Sequence, residues 1–111
     1  MNLKLLQEVF LDGANVEYTA HCQKRMLERD ISRADIKNCI MHGEIIEEYP
    51  LSEENNSIKS LPSCLVLGLK LSSDEKMHVV VGFDGYKALV ISAYHPDLVH
   101  WAADYKTRTR G

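Results

Sequence analysis

Three successive segments in the second half of the chain alternate apolar and polar residues, and this pattern constrains the fold most. Residues 63–71 place a leucine at every second position from Leu65, and residues 77–83 alternate again. The dipeptide Asp84-Gly85 then predicts a tight hairpin turn before a returning strand. Because alternation with period two is typical of strands and the connections are short, the sequence predicts an antiparallel meander.

The first half of the chain is patterned for helices. Apolar residues at helical spacing and terminal glycines predict helices over residues 1–13, 19–30 and 32–43, with Asn2, Thr19 and Ser32 as candidate N-caps. Ser32 and Asp35 have the spacing of a capping box at the start of the third helix.

The remaining segments are assigned by composition. We predict an extended lead-in to the second helix at residues 16–18, and a strand near a sheet edge at residues 44–50, which are β-branched and end at a proline. Residues 51–61 are predicted to form a mobile polar loop, residues 98–105 a short helical turn, and residues 106–111 a flexible basic tail.

The length of 111 residues suits a single domain. We predict an α+β fold in which the N-terminal helices pack on one face of a twisted antiparallel sheet of about four strands. The chain has no apolar run long enough to span a membrane, and its N-terminus lacks the apolar core of a secretory signal. We therefore expect a cytoplasmic protein without membrane association.

The cysteines and histidines do not have the spacing of a metal site. The three cysteines are far apart and form no CxxC pair, so we predict reduced thiols that pack as small hydrophobic groups. None of the histidines shows an HExxH spacing or a nearby carboxylate cluster, and no glycine-rich phosphate loop is present. We predict no metal and no cofactor. The five histidines are His21, His42, His78, His95 and His100.

Charge is unevenly distributed along the chain. The net charge of -3 argues against a general nucleic-acid coat protein. Residues 21–43 carry five basic and three acidic side chains, whereas residues 44–57 carry five glutamates and no base. A small basic site within an acidic molecule is compatible with this distribution.

The second predicted helix carries the basic candidate residues. His21, Arg25, Glu28 and Arg29 fall on one side of it, and an imidazole beside two guanidiniums suits an anionic substrate such as phosphate. A face of this composition is also typical of a helix that simply faces solvent.

Two strand residues are further candidates. His78 lies in the middle of a strand, where a satisfied histidine of the core or of a sheet face is the alternative. Tyr94 ends the last strand, a position where sites are often built. Trp101 and Tyr105 are interpreted as an aromatic clamp that closes the core.

Several motifs together resemble the family called domain of unknown function 4258, in order and over about residues 16–110. The resemblance extends to the RelE-type toxins and the barnase-like nucleases, which are small α+β ribonucleases. It implies a RelE-like fold, a site at His21, Arg25, Arg29, His78 and Tyr94, RNA as a substrate, and a cognate antitoxin protein as a partner. The motifs are 18–32 (YTAHCQKRMLERDIS), 43–50 (GEIIEEYP), 62–68 (PSCLVLG), 77–81 (MHVVV) and 94–101 (YHPDLVHW).

Two hypotheses about function follow. The first is a metal-independent endoribonuclease of toxin type, with His21 as acid or base, the arginines on the phosphate, and His78 or Tyr94 as the second proton carrier. The second is a non-catalytic protein-interaction module that uses the helix face, a sheet edge or the acidic segment. The chain departs from the resemblance in two respects: Asp30 stands where the family more often has glycine, and the net charge is acidic.

Overall fold

The computed structural model of the chain describes residues 1–50, 61–71 and 73–109. Within these residues, three helices from the N-terminal half pack on an open five-stranded sheet with the strand order β1-β5-β4-β3-β2. This arrangement confirms the predicted α+β class. The elements are α1 (Leu3–Asp12), β1 (Val16–Tyr18), α2 (Ala20–Arg29), α3 (Arg33–His42), β2 (Glu44–Tyr49), β3 (Ser63–Leu69), β4 (Lys76–Phe83) and β5 (Ala88–Tyr94).

All three helices begin at the N-caps that the sequence predicts. The side chains of Asn2, Thr19 and Ser32 each accept a hydrogen bond from a backbone N–H of the first turn. Asp35 completes the capping box by accepting from the backbone N–H of Ser32 at 2.9 Å. Since these bonds satisfy donors that a helix leaves unpaired, they fix where each helix starts.

The sheet is mixed and has one strand more than the predicted antiparallel sheet of about four. Residues 16–18, predicted as an extended lead-in, form β1 and pair in parallel with β5. The backbone N–H of Thr19 donates to the carbonyl of Val90 at 3.1 Å, and that of Ala88 donates to the carbonyl of Asn15 at 2.9 Å. A three-residue strand is too short to show alternation in the sequence, and its partner lies about seventy residues away.

Both faces of the central strands are covered. The face that packs on the helices includes Val66 of β3 with Val79 of β4, its partner in the antiparallel ladder. The opposite face includes Leu65 and Leu67, and Leu67 pairs with His78. We call this opposite side the outer face.

A C-terminal hairpin, residues 100–109, lies against the outer face. Its backbone bonds include the N–H of Ala102 to the carbonyl of Thr107 at 2.8 Å. Of the predicted aromatic clamp, Trp101 is buried and Tyr105 is only partly buried. The predicted helical turn over residues 98–105 is therefore a turn at 98–100 followed by this hairpin. Lys106 and Arg108, predicted to lie in a flexible tail, pair with Glu44 and Glu47 of β2.

Two further predictions concern the loop at residues 51–61 and membrane spans. The predicted mobile loop lies, apart from Leu61, outside the described residues. No helix in the described ranges is both long enough and apolar enough to cross a membrane.

Candidate functional site

The outer surface of α2 carries two of the five predicted site residues. His21 is exposed and forms no hydrogen bond or ion pair with any described residue, and Arg25 pairs with Glu28 at 2.8 Å. Cys22 and Met26 occupy the buried side of the helix, against the sheet. His21 and Arg25 therefore lie on the side of α2 that faces away from the sheet.

Arg29 lies apart from these two residues, at the end of α2. Its Nη1 donates to the carbonyl of Ala93 at 2.8 Å, one residue before Tyr94 at the end of β5. The guanidinium therefore lies at the sheet end where Tyr94 is found.

His78 and Tyr94 meet on the outer face, on opposite members of a cross-strand pair. The Nε2 of His78 lies 2.8 Å from the carbonyl of Tyr105, and its Nδ1 lies 3.2 Å from the hydroxyl of Tyr94. Because a carbonyl only accepts, Nε2 must carry the proton, and Nδ1 accepts from the tyrosine hydroxyl. Burial lowers the pKa of His78, which favours this neutral form.

His78 is therefore a satisfied histidine of the sheet face. Its side chain is fully buried, and Trp101 packs edge-on against the ring with 4.4 Å between ring centres. The imidazole holds the Tyr94 hydroxyl in place, and Tyr94 is the partly exposed member of the pair.

Glu47 and Arg108 add a charged group to the same face. Arg108 binds the Glu47 carboxylate in a bidentate manner, from Nε at 2.8 Å and from Nη2 at 2.9 Å. Tyr49 donates from its hydroxyl to Glu47, and Arg108 also lies over the ring of Trp101 at 4.8 Å. The hydrogen bond from Arg108 holds the pKa of Glu47 below its usual value.

We call Glu47, Tyr49, His78, Tyr94 and Arg108 the sheet-face cluster. Burial raises the pKa of Tyr94, and the charges of Arg108, Glu47 and Arg29 act on it to a smaller extent. The cluster thus presents an ionised carboxylate, a protonated phenol and a guanidinium, which can accept a proton, donate a proton and bind an anion.

The predicted five-residue site is divided by the structure. His78 and Tyr94 are together, Arg29 approaches them from α2, and His21 with Arg25 lies on another surface. Sequence reasoning missed Glu47, Tyr49 and Arg108. The available signal was the opposite charge of the acidic segment and the basic tail, and it did not specify a pair 61 residues apart.

The cysteines are not placed for nucleophilic chemistry. All three are free and buried in the core, which confirms the predicted packing. Burial raises the pKa of Cys39 to about 12 and that of Cys64 to about 11, so the reactive thiolate is disfavoured. Among the described residues, no three His, Cys, Asp or Glu side chains are grouped so that they could hold a metal ion.

The fold and the site define a small α+β protein whose sheet carries a polar cluster beneath a C-terminal hairpin. The family model described as Domain of unknown function (DUF4258) matches residues 18–95. Since this match covers most of the chain, the protein belongs to that family. No curated protein and no solved structure matches the chain.

Proposed function

We propose that the protein is a metal-independent endoribonuclease of toxin type and that the sheet-face cluster is its active site. The observation that carries the proposal is that a carboxylate, a guanidinium and an oriented phenol lie on one partly open sheet face, where the charges of Arg108 and Glu47 act on Tyr94. General acid–base cleavage of RNA uses a proton acceptor, a proton donor and a cation near the phosphate, and the cluster holds one group for each role.

The cluster supplies each proton transfer of a cleavage by the ribose 2′-hydroxyl. Glu47 takes the proton of the 2′-hydroxyl, and the 2′-oxygen attacks its own 3′-phosphate. The Tyr94 hydroxyl turns its proton from Nδ1 of His78 to the 5′-oxygen of the next nucleotide. That oxygen leaves as it takes the proton, so the products are a 2′,3′-cyclic phosphate and a 5′-hydroxyl. Arg108 and Arg29 balance the charge of the five-coordinate phosphate.

Substrate binding also changes the basicity of Glu47. In the free protein its carboxylate is paired with Arg108, which makes it a weak base. An RNA phosphate that draws Arg108 away removes this pairing, and the pKa of Glu47 then rises toward the range useful for a base. Arg108 can make this exchange because its side chain is 59% exposed.

The experiment is cleavage of a labelled RNA oligonucleotide by the purified chain in the presence of EDTA. We expect Glu47→Gln and Tyr94→Phe to reduce the rate by a factor of about 10² or more. Glu48→Gln is the matched control, because this neighbouring glutamate of β2 points to the other side of the sheet and pairs with the N-terminus. Its rate should equal that of the unchanged protein.

Replacement of His21 tests the alternative that the chemistry takes place on α2. The sheet-face mechanism expects His21→Ala to cleave RNA at the normal rate, since His21 lies on the outer surface of α2. A loss of cleavage in His21→Ala with normal cleavage in Glu47→Gln would assign the chemistry to α2. Absence of any cleavage, together with normal growth of cells in which expression is induced without an antitoxin, would refute the ribonuclease proposal.

A second candidate is a non-catalytic protein-interaction module that binds through the outer surface of α2. Leu27 is 86% exposed there, one turn after Gln23 and Lys24, which are also exposed. The described carboxylates of the acidic segment are less suited to a partner, because Glu44 pairs with Lys106 at 2.6 Å and Glu47 pairs with Arg108.

This second candidate predicts a stoichiometric protein partner and no RNA cleavage by the purified chain. We expect a stoichiometric complex that is lost in Leu27→Asp and kept in Glu47→Gln. A complex that is lost in Glu47→Gln and retained in Leu27→Asp would place the interface on the outer face of the sheet.

A further inference from the structure

A cavity of about 260 Å³ opens between the end of α1, the edge strand β1 and helix α3. Phe10 and Val16 line it with apolar surface, and Tyr18 adds an aromatic ring. Tyr18 and Val16 share the sheet face that packs on the helices, so the cavity lies on the opposite side from the sheet-face cluster. It is a separate site from the proposed active site.

Two cations of the basic segment converge on this cavity. The guanidinium of Arg33 lies 4.6 Å from the centre of the Tyr18 ring and forms no hydrogen bond or ion pair with any described residue. Lys37, one turn further along α3, donates from Nζ to the carbonyl of Leu11 at 3.0 Å and keeps its other two N–H donors. These donors are available to a ligand.

One acidic residue also lines the cavity, and it is engaged elsewhere. The Oδ1 of Asp12 accepts from the backbone N–H of Ala14 at 2.9 Å, within the turn that follows α1. The two cations outnumber this carboxylate, although the whole chain is acidic. The cavity therefore attracts anions more than most of the surface does.

We propose that this cavity binds a small phosphate monoester with an apolar body. The phosphate would bind between Arg33 and Lys37, because a guanidinium fork and an ammonium together match its charge and its oxygens. The apolar body would lie on Phe10 and Val16. A cavity of about 150 Å³ holds benzene, so the volume of about 260 Å³ suits a ligand about as large as a substituted benzene.

The test is an NMR titration of the backbone amides of the full chain with phenyl phosphate, followed by calorimetry for affinity. We expect shifts confined to residues around the cavity, with binding at least tenfold tighter than that of inorganic phosphate or phenylacetate. Inorganic phosphate lacks the apolar body, and phenylacetate replaces the phosphate by a carboxylate. If phenylacetate binds as tightly as phenyl phosphate, the cavity does not select phosphate. If inorganic phosphate binds as tightly as phenyl phosphate, the apolar body of the ligand contributes nothing, and that part of the proposal is wrong.

Matched variants separate the cavity from the rest of the surface. Arg33→Gln and Lys37→Gln should each weaken phenyl phosphate binding about tenfold or more. Arg25→Gln is the control, because Arg25 lies on the outer surface of α2 and pairs with Glu28. A weakening in Arg25→Gln equal to that in Arg33→Gln, or the absence of shifts with phenyl phosphate, would refute the site. Since all three side chains lie at the surface, amide spectra should show each variant folded.

Discussion

Replacement of His78 by leucine tests how the buried imidazole supports the outer face. The change removes the donor to the part-buried Tyr105 carbonyl, and leaving such an acceptor without its partner costs about 1–3 kcal/mol. Tyr94 is only half-buried, so its hydroxyl can donate to water once Nδ1 of His78 is gone. The loss of that hydrogen bond therefore adds little to the cost of the substitution. We expect the free energy of unfolding to fall by about 2 kcal/mol at pH 7.5.

The cost of His78→Leu should become smaller in acid. Burial lowers the pKa of His78 in the folded protein, whereas in the unfolded chain it is about 6.5. Below that pH the unfolded state binds more protons, so the unchanged protein loses stability as the pH falls. The leucine variant has no such loss. The difference between the two proteins should therefore narrow between pH 6.5 and 5.5, by at most about 1 kcal/mol.

The measurement is urea unfolding of both proteins at pH 7.5, 6.5 and 5.5, followed by Trp101 fluorescence. His21→Leu is the matched control, because it removes an exposed imidazole that contacts no described partner. It should change stability by less than about 0.5 kcal/mol at pH 7.5. A His78→Leu difference that is equally small, or that stays constant from pH 7.5 to 5.5, would refute the role assigned to the imidazole.

Three further predictions concern stability. Asp30→Gly should stabilise the protein by about 0.5–1 kcal/mol in urea unfolding, because Asp30 holds a left-handed conformation with φ of 55°; a loss of stability would refute this. Gly68→Ala should destabilise it by about 2 kcal/mol or more, since the added carbon would lie 2.6 Å from the carbonyl oxygen of Cys39; normal stability would show that α3 can shift. A double-mutant cycle of Glu47→Gln and Arg108→Gln in urea unfolding should give an interaction free energy of about 0.5–1 kcal/mol that falls in 1 M salt. An interaction free energy that does not depend on salt would contradict an ion pair.

Local sequence signals predicted the helices and the meander. Each predicted cap is a short side chain that bonds a backbone N–H three residues away, so the information is contained within a few positions. The hairpin at Asp84 follows the same logic: its Oδ1 accepts from the backbone N–H groups of Tyr86 and Lys87. The parallel strand β1 depends on a partner far along the chain, and no local pattern encodes that pairing.

The outer face was harder to predict because alternation does not say which side the helices will cover. In β3, Cys64 and Val66 point toward the helices, and the larger Leu65 and Leu67 point to the outer face. Both pairs are apolar, so the sequence alone could assign either of them to the helix side. The outer pair is buried because the C-terminal hairpin lies against that face and carries the buried Trp101.

The predicted site is divided because of the way α2 packs on the sheet. Helical spacing correctly grouped His21 with Arg25 on the surface of α2, but packing of Cys22 against the sheet turns that group away from it. Arg29 reaches the end of β5 because it stands at the last position of the helix, where its side chain extends past the helix end. If the protein cleaves RNA at the sheet-face cluster, Arg29 is the residue through which the motif on α2 contributes. Arg29→Gln should then slow cleavage, while changes at His21 leave the rate unaltered.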